Sequence, residues 1–134
     1  MAKETKKTKL FTDLLRHQYA AEVVPYVAGV KTRKGVCDRW LWLPGHWKHG
    51  MWVEFKDRST PIEAHQIAFQ MKCNKPVGEN PSWNAITCRF TEEDHQAGWL
   101  EFYAPGIKVE LDDKWKWTSV GEFVRLIGGL QTAL

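Results

Sequence analysis

The 134 residues contain no apolar run approaching the roughly 18 needed to cross a bilayer, and the N-terminus Met-Ala-Lys-Glu-Thr-Lys-Lys-Thr-Lys lacks the apolar stretch of a signal peptide. A membrane-spanning or secreted protein is thereby set aside, and a soluble intracellular one is expected. Cysteine is scarce: Cys37, Cys73 and Cys88 are odd in number and widely spaced, which suits free thiols in a reducing compartment rather than a disulfide framework. There is no internal repeat or low-complexity segment, so solenoids and disordered linkers are excluded. A global excess of one charge is missing too. The formal net charge is only +3, and the basic signal is local, with four lysines between residues 3 and 9.

What is present is an ordinary globular composition, 43% hydrophobic and 26% charged, in a chain of one-domain length. Residues 1–9 read as a basic flexible arm and 10–134 as a single domain. Leu10 to Val24 fits a helix closed by Pro25, with Phe11, Leu14, Leu15, Gln18 and Glu22 on one side. Val36 to Leu43 reads as a strand, Pro44 to Gly50 as a turn and Met51 to Lys56 as a second strand, making an antiparallel hairpin. Thr60-Pro61-Ile62-Glu63 is a helix start, with a hydroxyl cap, proline at the first helical position and glutamate three residues after the cap. Trp83 to Phe90 predicts a third strand. Thr91 to Asp94 opens a helix ending before Pro105-Gly106. Ile107 to Leu111 is a short edge strand, and a last helix begins at Ser119 and is loosened by Gly128-Gly129. The expected fold is α/β, a mixed sheet flanked by helices: N-terminal helix, hairpin, then helix, strand and helix.

Alternation along the hairpin places Asp38, Trp40 and Trp42 on one strand face and Trp52, Glu54 and Lys56 on one face of the next. If Leu43 pairs with Met51, Asp38 lies opposite Lys56 and diagonal to Glu54, and a divalent cation fits between the carboxylates. Phosphodiester hydrolysis needs an activated water and neutralised phosphate oxygens, which Mg²⁺ or Mn²⁺ held by Asp38, Glu54 and the Phe55 carbonyl would supply. Lys56 would position the water or stabilise developing charge. An ordinary amphipathic strand also reads Val-Glu-Phe-Lys. Against that stands Gln66, polar on the sheet-facing side of its helix, and Glu22, polar on the apolar side of the first; both need partners that a metal site would provide.

The order Gly-Val-Cys-Asp-Arg at 35–39, Val-Glu-Phe-Lys at 53–56 and Gln66 twelve residues after Glu54 resembles the virus-type replication-repair nuclease (VRR-NUC) domain. That domain is a minimal branch of the PD-(D/E)XK restriction-endonuclease-like superfamily, and the resemblance spans roughly residues 10–95. It implies metal binding by Asp38 and Glu54, catalysis by Lys56, support from Gln66 and a first-helix acid at Glu22. It also implies an endonuclease acting on branched or junction DNA in phage-type replication or repair, often as a homodimer. Two positions depart from the pattern: Cys37 stands where proline usually precedes the aspartate, and Gln70 where the exonuclease pattern has tyrosine. Both favour the endonuclease-like members.

Lys31, Arg33, Lys34 and Lys48 are expected phosphate contacts. A competing class is a non-catalytic nucleic-acid-binding module that uses some of the eight tryptophans as base-stacking platforms. Cys37, His46 and His49 are zinc-type ligands but lack a fourth. Trp99, Phe102, Tyr103, Trp115 and Trp117 are a candidate homodimer face.

Overall fold

Thr8, Phe11, Thr12 and Leu15 recur at helical spacing and are all buried, which drives helix α1 (Lys3–Tyr19) onto the sheet. The computed structural model describes residues 3–25, 37–76, 78, 82–91, 94–109 and 115–133. Residues 3–9, expected as a flexible arm, belong to the first turns of α1, and Lys7 is tied to Asp57 at 2.6 Å and to the Thr91 carbonyl at 2.7 Å. The helix also stops earlier than Pro25. Ala20 adopts a left-handed φ of 52°, and the N–H groups of Ala20 and Ala21 close on the carbonyls of Arg16 and Leu15. The chain is then free to continue as β1 (Glu22–Pro25), where β-branched Val23 and Val24 suit an edge strand.

Strands β2 (Arg39–Trp42) and β3 (Met51–Asp57) continue the antiparallel run. Helix α2 (Ala64–Cys73) then crosses over to β4 (Ala85–Phe90), parallel to β3. The segment after Thr91 was expected to be helical, and its described residues, 94–104, are not. Thr91 Oγ1 accepts the Asp94 N–H, making a turn, and Gly98–Ala104 forms β5, antiparallel to β4. Its residues alternate between buried and half-buried, a period of two that places Leu100 and Phe102 in the core. β6 (Ile107–Val109) and β7 (Lys116–Trp117) share the outer edge of β5, and α3 (Val120–Ala133) closes the chain.

The described strands form one seven-stranded mixed sheet in the order β1-β2-β3-β4-β5-β6, with β7 also on β5. The expected mixed sheet flanked by helices is therefore present. On one face α1 and α3 bury Phe11, Leu15, Phe123 and Ile127 against Phe55, Phe90 and Trp117. On the other, α2 packs Phe69 against Trp52, Cys37 and Ala85. Gly128 and Gly129 do not loosen α3. A Cβ at 128 would sit 3.3 Å from the His46 carbonyl, so glycine there lets α3 run close under the β2–β3 loop, which Trp47 Nε1 to the Val124 carbonyl and the Lys48 N–H to Gln131 Oε1 fasten from above. Among the described residues no helix is long and apolar enough to cross a membrane.

Candidate active site

The hairpin pairs Arg39 with Val53, Trp40 with Trp52 and Leu41 with Met51. This leaves a connection two residues longer than the expected pairing of Leu43 with Met51, because the Leu43 carbonyl accepts the N–H groups of His46 and Trp47 and so belongs to the turn. A shift of two preserves every face. Extended by one residue, the register sets Asp38 opposite Glu54 rather than Lys56. Asp38 lies just before β2, and its Oδ2 accepts the Phe55 N–H at 3.1 Å, which anchors the carboxylate to the edge of β3.

Glu54 is 3% exposed, on the face of central strand β3 that α2 covers. Its Oε1 accepts Gln66 Nε2 at 2.8 Å and lies 3.6 Å from Lys56 Nζ. Its Oε2 is buried with no hydrogen-bond partner among the described residues. Burial, and then the neighbouring Asp38 charge, push this carboxyl up to about 8, and the nearby Lys56 ammonium only partly opposes them. Two acids thus face each other with the Lys56 ammonium beside them among the described residues. Lys56 is itself nearly buried, two residues along the same strand face.

Gln66 is held from two sides. Its Nε2 donates to Glu54 and its Oε1 accepts the Glu63 N–H at 2.9 Å, forming part of the N-cap of α2. The helix begins at Ala64 rather than at Pro61. The Thr60 carbonyl, which would otherwise accept the first helical bond, is taken by the Arg89 guanidinium at 2.5 Å, and the same group reaches the Asp57 carbonyl at 3.2 Å.

The structure therefore gathers Asp38, Glu54, Lys56 and Gln66. It does not gather Glu22, which is exposed at the start of β1 and pairs with Trp42. Four residues of β2 separate that position from Asp38, about 13 Å at the usual strand rise. The α1 helix had already ended, so Glu22 is not a first-helix acid. Lys48 is exposed in the hairpin loop, while Lys31, Arg33 and Lys34 lie outside the described residues. Among the described residues no three His, Cys, Asp or Glu side chains are clustered for a metal, so Cys37, His46 and His49 make no zinc site. Cys37 is buried, its thiol pushed far up by that burial, and His46 packs edge-on against Tyr19. Two carboxylates and a backbone carbonyl nevertheless suffice for Mg²⁺, which keeps several waters. The orphaned Glu54 oxygen beside Asp38 fits such an ion.

The aromatic face expected for a homodimer is largely internal, since Phe102 and Trp117 are core and Trp115 packs edge-on against Phe102. Sequence reasoning also missed a buried polar network on β4 and β5. Arg89 Nε pairs with Glu101 Oε2 at 2.6 Å, the Tyr103 hydroxyl donates to Glu101, and Gln70 donates to Thr87. Alternation in Gly-Trp-Leu-Glu-Phe-Tyr-Ala was the available signal.

No protein-family model matches the chain, and no curated protein matches it. Among solved structures, Hjc, a Holliday junction resolvase from the archaeal hyperthermophile Archaeoglobus fulgidus, is similar with a TM-score of 0.49 and 11% sequence identity, covering 87% of this chain and 98% of that one. At that identity the likeness concerns overall shape and assigns no residue a role.

Proposed function

We propose that the chain is a divalent-metal-dependent DNA nuclease of the PD-(D/E)XK type. The observation that carries this reading is the buried Glu54 Oε2, which has no partner among the described residues and lies in a site where Asp38 adds a second negative charge. Leaving such an oxygen unsatisfied is costly in a structural strand and useful in a cation site.

Asp38 and Glu54 would hold Mg²⁺ or Mn²⁺. In an extended strand the N–H and C=O of one residue point the same way, so the Phe55 carbonyl faces the Asp38 side and is a third donor. A bound ion of this kind supplies an activated water and neutralises charge on phosphate oxygens. Gln66 fixes Glu54 through Oε1 and leaves Oε2 for the ion. Lys56, held beside Glu54, presents its ammonium to the attacking water or to a non-bridging phosphate oxygen. Lys31, Arg33, Lys34 and Lys48 contribute phosphate contacts. The resemblance in sequence extends the reading to branched or junction DNA, phage-type replication or repair, and a homodimer.

A binding module without catalysis is favoured by one observation: Trp40 and Trp52 pair across the hairpin, half-buried, on the face that carries Glu54. Cleavage of branched and linear DNAs with Mg²⁺, Mn²⁺ or chelator decides between the two. Metal-dependent cutting that Asp38→Asn abolishes is expected; binding without cutting in either metal overturns the nuclease reading.

A further inference from the structure

Arg58 lies in the turn directly after β3, two residues beyond Lys56. Its guanidinium sits 5.8 Å from the centroid of the Trp99 ring. It is exposed and makes no hydrogen bond or ion pair among the described residues, so the ring is its partner. Asp57, the residue before it, is paired with Lys7, and Glu101, on the strand that carries Trp99, is paired with Arg89. Among the described residues its charge thus has no ion-pair partner, and the Trp99 ring lies beside the guanidinium.

The sheet register relates this arginine to the proposed site. Lys56 pairs with Arg89 across β3–β4, and Arg89 pairs with Trp99 across β4–β5. These three share one row on one face, and two strand spacings of roughly 4.8 Å put Trp99 about 10 Å from Lys56. That span is on the scale of the separation between one backbone phosphate and the next one or two along a strand. A planar fork held by an aromatic face is suited to bidentate phosphate recognition.

We propose that Arg58, oriented by Trp99, binds a backbone phosphate flanking the one positioned at Asp38, Glu54 and Lys56. It serves as a sequence-independent positioning contact for the DNA strand. This inference rests on the nuclease reading above.

The test is binding of one branched DNA in chelator over a series of salt concentrations, with cleavage in Mn²⁺ measured in parallel. Arg58→Ala is expected to bind several-fold more weakly and to reduce the log–log salt slope by about 0.9, the loss of one phosphate contact. Arg58→Lys should keep the slope, and Trp99→Leu should weaken binding with the slope nearly intact, because the charge remains but its orientation is lost. Arg58→Ala should raise KM and leave kcat within about twofold of wild type, with an unchanged melting temperature as the folding check. A wild-type slope in Arg58→Ala, while wild-type protein binds and cuts, overturns the Arg58 contact alone. Wild-type protein that neither binds nor cuts DNA overturns both this contact and the nuclease reading.

Discussion

Gln66 donates to Glu54 Oε1 at 2.8 Å while accepting the Glu63 N–H, so one side chain both caps α2 and holds the buried carboxylate. Position along a helix axis is thereby coupled to the geometry of an acid on the neighbouring strand. Gln66→Ala removes both bonds. It is expected to weaken Mn²⁺ binding by about 10–100-fold, as loss of a ligand's supporting partner does, and to cost about 1 kcal/mol of stability through the lost cap. Calorimetric titration and urea unfolding measure the two effects; unchanged metal affinity would return Gln66 to a purely structural role.

Glu22 provides the contrast. Exposed at the start of β1 and roughly four residues of strand away from Asp38, it touches nothing in the site. Glu22→Ala should retain cleavage within about twofold and stability within about 0.5 kcal/mol, the range usual for a surface substitution. A large loss of activity in a normally folded variant would reinstate it as part of the machinery.

The Glu54 carboxyl makes stability depend on pH in a direction opposite to a salt-bridged acid. Burial first, and Asp38 second, raise it from 4.5 to about 8 in the folded protein. Below the lower value both states are protonated. Between the two, the unfolded chain ionises while the folded one keeps its proton, so stability in chelator falls as pH rises, and above about 8 the penalty is constant. Glu54→Gln should therefore melt higher than wild type at pH 8 and show a flatter pH dependence between 5 and 8. A gain of 1–2 kcal/mol would appear as about 3–8 °C in a domain of this size. Mn²⁺ should raise the wild-type melting temperature more at pH 8 than at pH 6, since binding requires the ionised acid. Parallel pH profiles for the two proteins would show that Glu54 is already ionised without metal.

Gly98 lies where β5 begins, and a Cβ there would run into the Arg89 carbonyl of β4 and close on the Trp117 ring at 2.8 Å. Backbone cannot give way as a flexible side chain can. Gly98→Ala is expected to destabilise by about 1–3 kcal/mol or more, read by urea unfolding, whereas a Cβ at Gly106 meets no atom of the described residues within 4 Å, and Gly106→Ala carries the strain of its positive φ. Equal, small losses at both positions would contradict the close approach of β4 and β5.

The placement of Asp38, Glu54, Lys56 and Gln66 could be read from the chain because each depends on short-range periodicity. Strand alternation survives a register error of two, and the spacing from Glu54 to Gln66 spans a single turn and the start of one helix. Glu22 was misplaced because helix propensity continues smoothly through Ala20 and Ala21, and only the backbone reversal at Ala20 reveals the stop. The stretch after Thr91 was misread because its acidic opening resembles a helix start, although the alternation from Gly98 to Ala104 was present. The Arg58–Trp99 contact was illegible for a different reason. It joins residues forty-one positions apart through the pairing of β4 with β5, a long-range relation that no local pattern encodes.

The sign of two effects separates catalysis from mere binding at this site. On the nuclease reading, Asp38 and Glu54 concentrate negative charge where a phosphate would approach, so in chelator they should repel DNA, and a bound cation should relieve that repulsion besides activating water. Removing either charge should then move binding and cleavage in opposite directions. Asp38→Asn or Glu54→Gln should abolish cleavage in Mg²⁺ or Mn²⁺ while binding DNA in chelator as tightly as wild type or more so. The gain should be larger for Asp38→Asn at neutral pH, because the Glu54 carboxyl, pushed up to about 8, carries only part of its charge there. Lys56→Ala should lose cleavage by at least about 100-fold, the scale of one electrostatic contact to the transition state. Its affinity should fall only modestly, since one phosphate contact among several is a small share of a salt-dependent term. Gel-shift titrations in chelator and cleavage time courses with metal, on one branched DNA at one salt concentration, measure both quantities. Carboxylate variants that still cut at the wild-type rate would place the chemistry elsewhere in the molecule.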